Sequence, residues 1–246
     1  MPSAQGIATV LQIFDLCAVA VFAVTGALVA SRKQLDIVGF LWLGTITAIG
    51  GGTVRDVILD VPVFWVANPL YVLIAAAFSI VVFFTAHLPL SRYQLVIWLD
   101  AVGLALVAVT GAEKALAVGA GPVIGVVMGM LTACFGGILR DILGNEPSII
   151  LRREIYITAA LTGAIALVGA DAAGVGRWLA ALFGFGVGFG VRALALVYGW
   201  SLPAYKARPG RTLAEIEALD LTGVTASIAG DRAEAVEPGA GKGDPA

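Results

Sequence analysis

Residues 51–56 read GGTVRD, and 85 positions later residues 136–141 read GGILRD. The same offset, applied without a gap, lays DLCAVAVFAVTGA from Asp15 over DAVGLALVAVTGA from Asp100. It also carries Gly44 onto Gly129, Thr47 onto Thr132, Pro62 onto Pro147 and Tyr71 onto Tyr156. Two unrelated apolar stretches would agree by chance in Leu, Val and Ala. These agree in Asp, Thr, Arg, Pro and Tyr as well, so the chain carries an internal duplication, and its fold must be built from two copies of one unit.

How each copy folds follows from hydropathy. Of 246 residues, 59% are hydrophobic and 13% charged, with a mean hydropathy of +0.96. Soluble domains carry about 25% charge, so this is the composition of an integral membrane protein. Apolar windows of about 20 residues match a hydrocarbon core about 30 Å thick. They predict seven spans, at roughly 6–30, 36–59, 69–86, 95–117, 122–143, 155–170 and 178–200. Repeat one (about 10–88) and repeat two (about 95–172) hold three spans each, and the seventh stands outside them. Because three is odd, the second copy must enter the membrane in the opposite sense. The expected fold is an all-α integral membrane domain over 1–202: seven transmembrane helices, built as two inverted three-helix repeats plus a seventh helix. Transporters and channels use this architecture, with sites at the repeat interface. Residues 203–246 turn to Ala, Gly, Pro and mixed charge and read as a cytoplasmic, largely disordered tail. The capping-box pattern TLAE from Thr212 predicts one short amphipathic helix there.

Basic residues in short loops orient a membrane protein. Arg32 and Lys33 lie in the first loop, Arg92 in the third, Arg152 and Arg153 in the fifth, and Lys206, Arg208 and Arg211 follow span seven. The opposite side holds only Lys114 beside Glu113 and Arg177 near Asp171. The expected topology, in a cell inner membrane, has the N-terminus outside and the C-terminus cytoplasmic. The first span is expected to be retained, since no basic segment precedes it.

The duplicated segments are poorly suited to helices that only span. A glycine inside a helix costs about 0.5–1 kcal/mol relative to Ala. Gly50, Gly51 and Gly52, and Gly136 with Gly137, therefore predict a kink or break in spans two and five; close packing of intact helices is the alternative. Thr47 and Thr132, one turn earlier, add polar groups to the same face. Arg55, Asp56, Arg140 and Asp141 would each cost roughly 2.5–3.5 kcal/mol at mid-membrane. Adjacent positions point to different helix faces, which predicts pairing across the repeats, Arg55 with Asp141 and Arg140 with Asp56. Arg55 lies about 28 Å along a straight span two, near a mouth where arginine snorkels; broken helices would bring it toward the middle. Asp15 and Asp100, near the starts of spans one and four, suit the helix dipole or a pore vestibule. Lys114 reads as a solvated helix end or a voltage-sensing charge. Gly186 and Gly190 form a GxxxG that favours close helix packing.

Other function classes find little support. A net charge of −2 argues against a nucleic-acid partner. Cys17 and Cys134 each sit in an apolar run and read as small core residues, giving neither a disulfide framework nor a metal site. His87, the single histidine, reads as a loop residue at the membrane surface. With no nucleophile–base set, phosphate loop or metal cluster, the chain is expected to be no enzyme and to need no cofactor.

The twin GGGTVRD and GGILRDIL segments, the paired three-span repeats and the extra seventh span resemble the trimeric intracellular cation channels, specifically their bacterial and archaeal members, over residues 14–200. The resemblance implies a homotrimer in membrane lipid, each subunit with its own water-filled pore lined by glycine-kinked second and fifth helices. It implies monovalent cations, chiefly K⁺, as permeant ions. By position it implies kinks at Gly50, Gly51, Gly52, Gly136 and Gly137 and pore charges at Arg55, Asp56, Arg140 and Asp141. Phe135 stands opposite Gly50, so the second kink is expected to be milder. The competing reading is a secondary transporter of a small zwitterion such as glycine, since broken helices with opposed dipole ends beside Arg and Asp suit a carboxylate and an ammonium. The sequence itself holds no filter signature such as TVGYG.

Overall fold

A computed structural model describes residues 4–147, 155–203 and 210 of the chain, with side chains from residue 11 onward. Residues up to Pro203 form one compact unit. The expected tail, the helix at Thr212 and the basic positions Arg152, Arg153, Lys206, Arg208 and Arg211 lie outside the described residues.

The described helices run in the order α1 (Ala4–Arg32), α2 (Ile37–Ile58), α3 (Phe64–Ala67), α4 (Leu70–Thr85), α5 (Arg92–Ala117), α6 (Pro122–Leu143), α7 (Ile157–Ala172) and α8 (Arg177–Tyr198). Five of them (α1, α2, α5, α6 and α8) are long and apolar enough to cross a membrane. α4 and α7 are equally apolar but have 16 residues each, or about 24 Å of helix. Each predicted span thus coincides with a helix, and the four-residue α3 is an addition between the second and third. Local signals set the ends. Asp36 caps α2 by accepting from the Gly39 amide at 2.8 Å, Ser91 caps α5 through the Gln94 amide at 3.2 Å, and Pro122 opens α6.

The duplication in sequence is also a duplication in packing, with α1, α2 and α4 answering to α5, α6 and α7. A Cβ added at Gly26 would meet the Leu43 carbonyl and Thr47 Oγ1, both at 2.6 Å; one at Gly111 would meet Thr132 Oγ1 at 2.9 Å and the Met128 carbonyl at 3.0 Å. Those partners differ by the same 85 positions. Gly44 lies against the Ala23 carbonyl and Ser79, and Gly129 against the Ala108 carbonyl and Ala164, again in step. In lipid, close backbone approach between small residues takes the place of the hydrophobic drive that packs soluble helices. Large apolar side chains accordingly face outward, among them Trp42, Val57, Leu73 and Phe84, each at least 64% exposed.

Several expectations change. α1 begins at Ala4 and α5 at Arg92, so Asp15 and Asp100 lie well inside their helices, beyond the reach of a first-turn dipole effect. Cys134 is buried as expected, but Cys17 is exposed, because an apolar run in lipid faces outward as readily as inward. In α8 the glycines that pack against the rest of the chain are Gly184 and Gly188, against Gly163; Gly186 and Gly190 have nothing among the described residues within 4 Å of an added Cβ.

Candidate functional site

The duplicated segments meet face to face. α2 and α6 cross where Gly51 abuts the carbonyl of Thr132, and reciprocally a Cβ at Gly136 would lie 2.8 Å from the carbonyl of Thr47. No side chain fits at either position. Both helices are continuous through Gly50–Gly52 and Gly136–Gly137, with no break in either, and these glycines serve close approach. Gly50 lies against the tip of Leu139, Gly52 against the Phe64 ring and Gly137 against the Tyr156 hydroxyl. Thr47 and Thr132 are buried beside the crossing. Their hydroxyls donate to carbonyls in their own helices, at Leu43 (2.6 Å) and Met128 (2.5 Å), so toward neighbours they present only lone pairs.

The arginines pair within their repeats, and the expected Arg55–Asp141 and Arg140–Asp56 pairs do not form. In repeat two, Arg140 Nη1 meets Asp100 Oδ1 at 2.6 Å, while its Nε and Nη2 reach Asp141 Oδ1 at 3.0 and 2.9 Å. Side-chain exposure is 0% for Arg140, 1% for Asp100 and 5% for Asp141. The rule that neighbours diverge holds for Cβ directions, but the long stem and broad fork of arginine let it fold back onto the next residue. In repeat one, Arg55 Nε meets Asp56 Oδ1 at 2.8 Å, and the guanidinium lies 5.8 Å from the centre of the Phe64 ring. Asp56 also takes Lys114 Nζ at 2.7 Å and the Phe64 amide at 2.8 Å. Asp15, the counterpart of Asp100, is not within ion-pair distance of Arg55. Both arginines occupy the last turns of their helices, yet both are buried in protein, so neither snorkels.

Clefts adjoin each cluster. Asp15, Arg55, Phe64, Thr110 and Thr132 line one, together with Gly52 and Ala48. Asp15 and Thr110 also line a second with Glu113 and Lys114. Toward the other end of α5, Arg140 and Asp141 line a third with Arg32, Tyr93 and Glu146, where Glu146 holds Arg32 at 3.5 Å and Lys33 at 3.4 Å. Along α6, Thr132 belongs to the first cleft and Arg140 to the third, with Gly136 between them.

Lys114 is tied to Asp56 rather than to its neighbour Glu113, which pairs with Arg177 at 3.3 Å. Asp100, buried on Arg140, lines none of these clefts. Sequence reading passed over Arg192, which is buried in α8 with Nη1 3.2 Å from the Ile155 carbonyl and its guanidinium 5.3 Å from the Tyr156 ring centre. The signal was available: an arginine in the middle of an apolar span.

Comparison with known proteins follows the same division. A family model described as "Glycine transporter" matches residues 12–87 and again 97–172. The chain is 45% identical to the inner membrane protein YadS of Escherichia coli K12 over 154 residues, 61% of this chain and 74% of that one. It is 36% identical to a UPF0126 membrane protein of Vibrio cholerae over 202 residues, 80% of this chain and 83% of the relative. Among solved structures it is similar to the trimeric intracellular cation channel orthologue of Rhodobacter sphaeroides, with 57% identity and a TM-score of 0.77, covering 78% of this chain and 100% of that one.

Proposed function

The chain belongs to the prokaryotic branch of the trimeric intracellular cation channel family, and from that membership we propose that it is a passive channel for monovalent cations, chiefly K⁺. The observation that carries this reading is 57% identity across the full length of a solved channel orthologue. The channel is a multi-pass inner-membrane protein, with the N-terminus outside and the C-terminus in the cytoplasm. It acts as a homotrimer in lipid with one pore per subunit, and K⁺ is its permeant ion rather than a cofactor. The path leads from the clefts beside Lys114, past the α2–α6 crossing, to the cleft beside Glu146. Gly50, Gly51, Gly52, Gly136 and Gly137 form its waist. Thr47, Thr132, Arg55, Asp56, Arg140 and Asp141 supply its polar wall, and Asp15 its vestibule. Backbone contact at Gly51 and Gly136 closes the waist in this conformation, so conduction requires α2 and α6 to separate. Lys114 is the voltage-sensing charge. It is 30% exposed and held by one carboxylate, and moving a full charge through the field is worth about 2.3 kcal/mol per 100 mV.

A zwitterion carrier would need a cation to take the substrate carboxylate. Arg55 and Arg140 already sit on carboxylates and Arg192 on a carbonyl and a ring, which favours the channel. The test is a planar-bilayer recording of reconstituted protein. Unitary K⁺ currents driven by voltage alone are expected; saturable glycine exchange without unitary current would overturn the proposal.

A further inference from the structure

Four polar positions on the paired helices α1 and α5 are related by the repeat: Asp15 with Asp100, and Thr25 with Thr110. Two of them are engaged. Asp100 holds Arg140 at 2.6 Å, and the Thr25 hydroxyl donates to the Phe22 carbonyl at 2.9 Å. The other two are not. Thr110 is 4% exposed and its Oγ1 has no hydrogen-bond partner among the described residues. The Asp15 carboxylate approaches it in a loose side-chain hydrogen-bond contact that falls short of a well-formed bond. A buried hydroxyl left unpaired costs about 1–3 kcal/mol, and in native proteins such a group usually has a water or an ion to satisfy it.

Both groups line the two adjoining clefts at the Lys114 end. A third oxygen converges there: Thr132 lines the inner of these clefts, and since its proton is given to Met128, its Oγ1 can only accept. We propose that Asp15, Thr110 and Thr132 form a binding site for a partly hydrated monovalent cation at the deep end of this cleft, and that it sets ion preference. The proposal deepens the channel reading and rests on it for the identity of the ion. The set holds one carboxylate and two hydroxyls, with water completing the shell. Nearby, Arg55 and Lys114 share the single carboxylate of Asp56, leaving one positive charge that Asp15 balances. Divalent cations such as Ca²⁺ draw on six to eight oxygens, typically with more than one carboxylate. One carboxylate beside an excess cation suits a single charge.

The test pairs ion binding with conduction. Crystals of the full chain soaked in Tl⁺ should show an anomalous peak between Asp15 and Thr110 that Asp15→Asn abolishes. In bilayers, Asp15→Asn should lower K⁺ conductance several-fold at low KCl, with the deficit shrinking at high KCl. Thr110→Val, which keeps the side-chain shape, should act in the same direction but less, and Thr25→Val should match the native protein. A native protein without the Tl⁺ peak, or an Asp15→Asn conductance equal to that of Thr25→Val at low KCl, overturns the site. Unitary current without the peak leaves the channel reading standing and removes the site. A peak that Asp15→Asn abolishes in a protein that passes no current does the reverse.

Discussion

The two repeats carry the same Arg–Asp pair at the end of the same helix and treat it differently. In repeat two, Arg140 is gripped by Asp100 from α5 and by Asp141, and all three side chains are buried. In repeat one, Arg55 keeps Asp56, Asp15 stands off, and Lys114 reaches across from the other repeat to share Asp56. The backbone relation is the same in both, as the matched contacts of Gly26 with Gly111 and of Gly44 with Gly129 attest. The difference lies in unmatched positions. The residue 85 places before Lys114 is Val29, which packs against Gly144, so repeat one offers no lysine at the matching position. Duplication thus sets where the helices meet, and a few unpaired substitutions decide which charges each arginine keeps for company.

The strongest way to break the comparison is to remove each arginine. Arg140→Met takes the cation from the buried Asp100 carboxylate and should cost about 3–5 kcal/mol, seen as a collapse of the thermal unfolding midpoint in detergent. Arg55→Met should cost clearly less, since Lys114 still neutralises Asp56; equal losses would erase the contrast. Next come the glycines. Gly51→Ala drives a methyl into the Thr132 backbone and should cost about 1–3 kcal/mol, whereas Gly50→Ala meets only the flexible tip of Leu139 and should be nearly neutral by the same assay. Lys114→Met removes one of two cations from Asp56 and should cost about 1 kcal/mol while flattening the voltage dependence of the current. Smallest is Glu146→Gln, which loosens part-exposed pairs with Arg32 and Lys33 worth under about 1 kcal/mol; its effect should fade as salt is raised.

Much of this was legible in the sequence because membrane helices leave few options. The 85-residue offset located the repeats, hydropathy located the helices, and the doubled Gly–Arg–Asp segments marked where α2 and α6 meet. What the residues did not disclose is what faces them. A glycine run serves a break or a close approach equally well, and only the opposing Thr132 and Thr47 carbonyls decide for approach. The pairing of Arg55 and Arg140 with their own neighbours depends on side-chain reach rather than Cβ direction. Lys114 stands beside Glu113 in the sequence, but its partner arrives from α2, and no local pattern encodes that. Arg192 lies inside a span, where the charge counts of the loops do not reach.

The central claim is that the clefts lined by Asp15 and Thr110 admit small cations, while the repeat-related position Thr25, fully buried with its hydroxyl on the Phe22 carbonyl, does not. Thr110 and Thr25 occupy equivalent positions and both accept a near-isosteric cysteine. In a Cys17→Ser background, Thr110→Cys and Thr25→Cys can be exposed to a small cationic methanethiosulfonate reagent in intact membranes and scored by mass. The account predicts rapid modification at 110 and protection at 25; equal labelling, or faster labelling at 25, would contradict it.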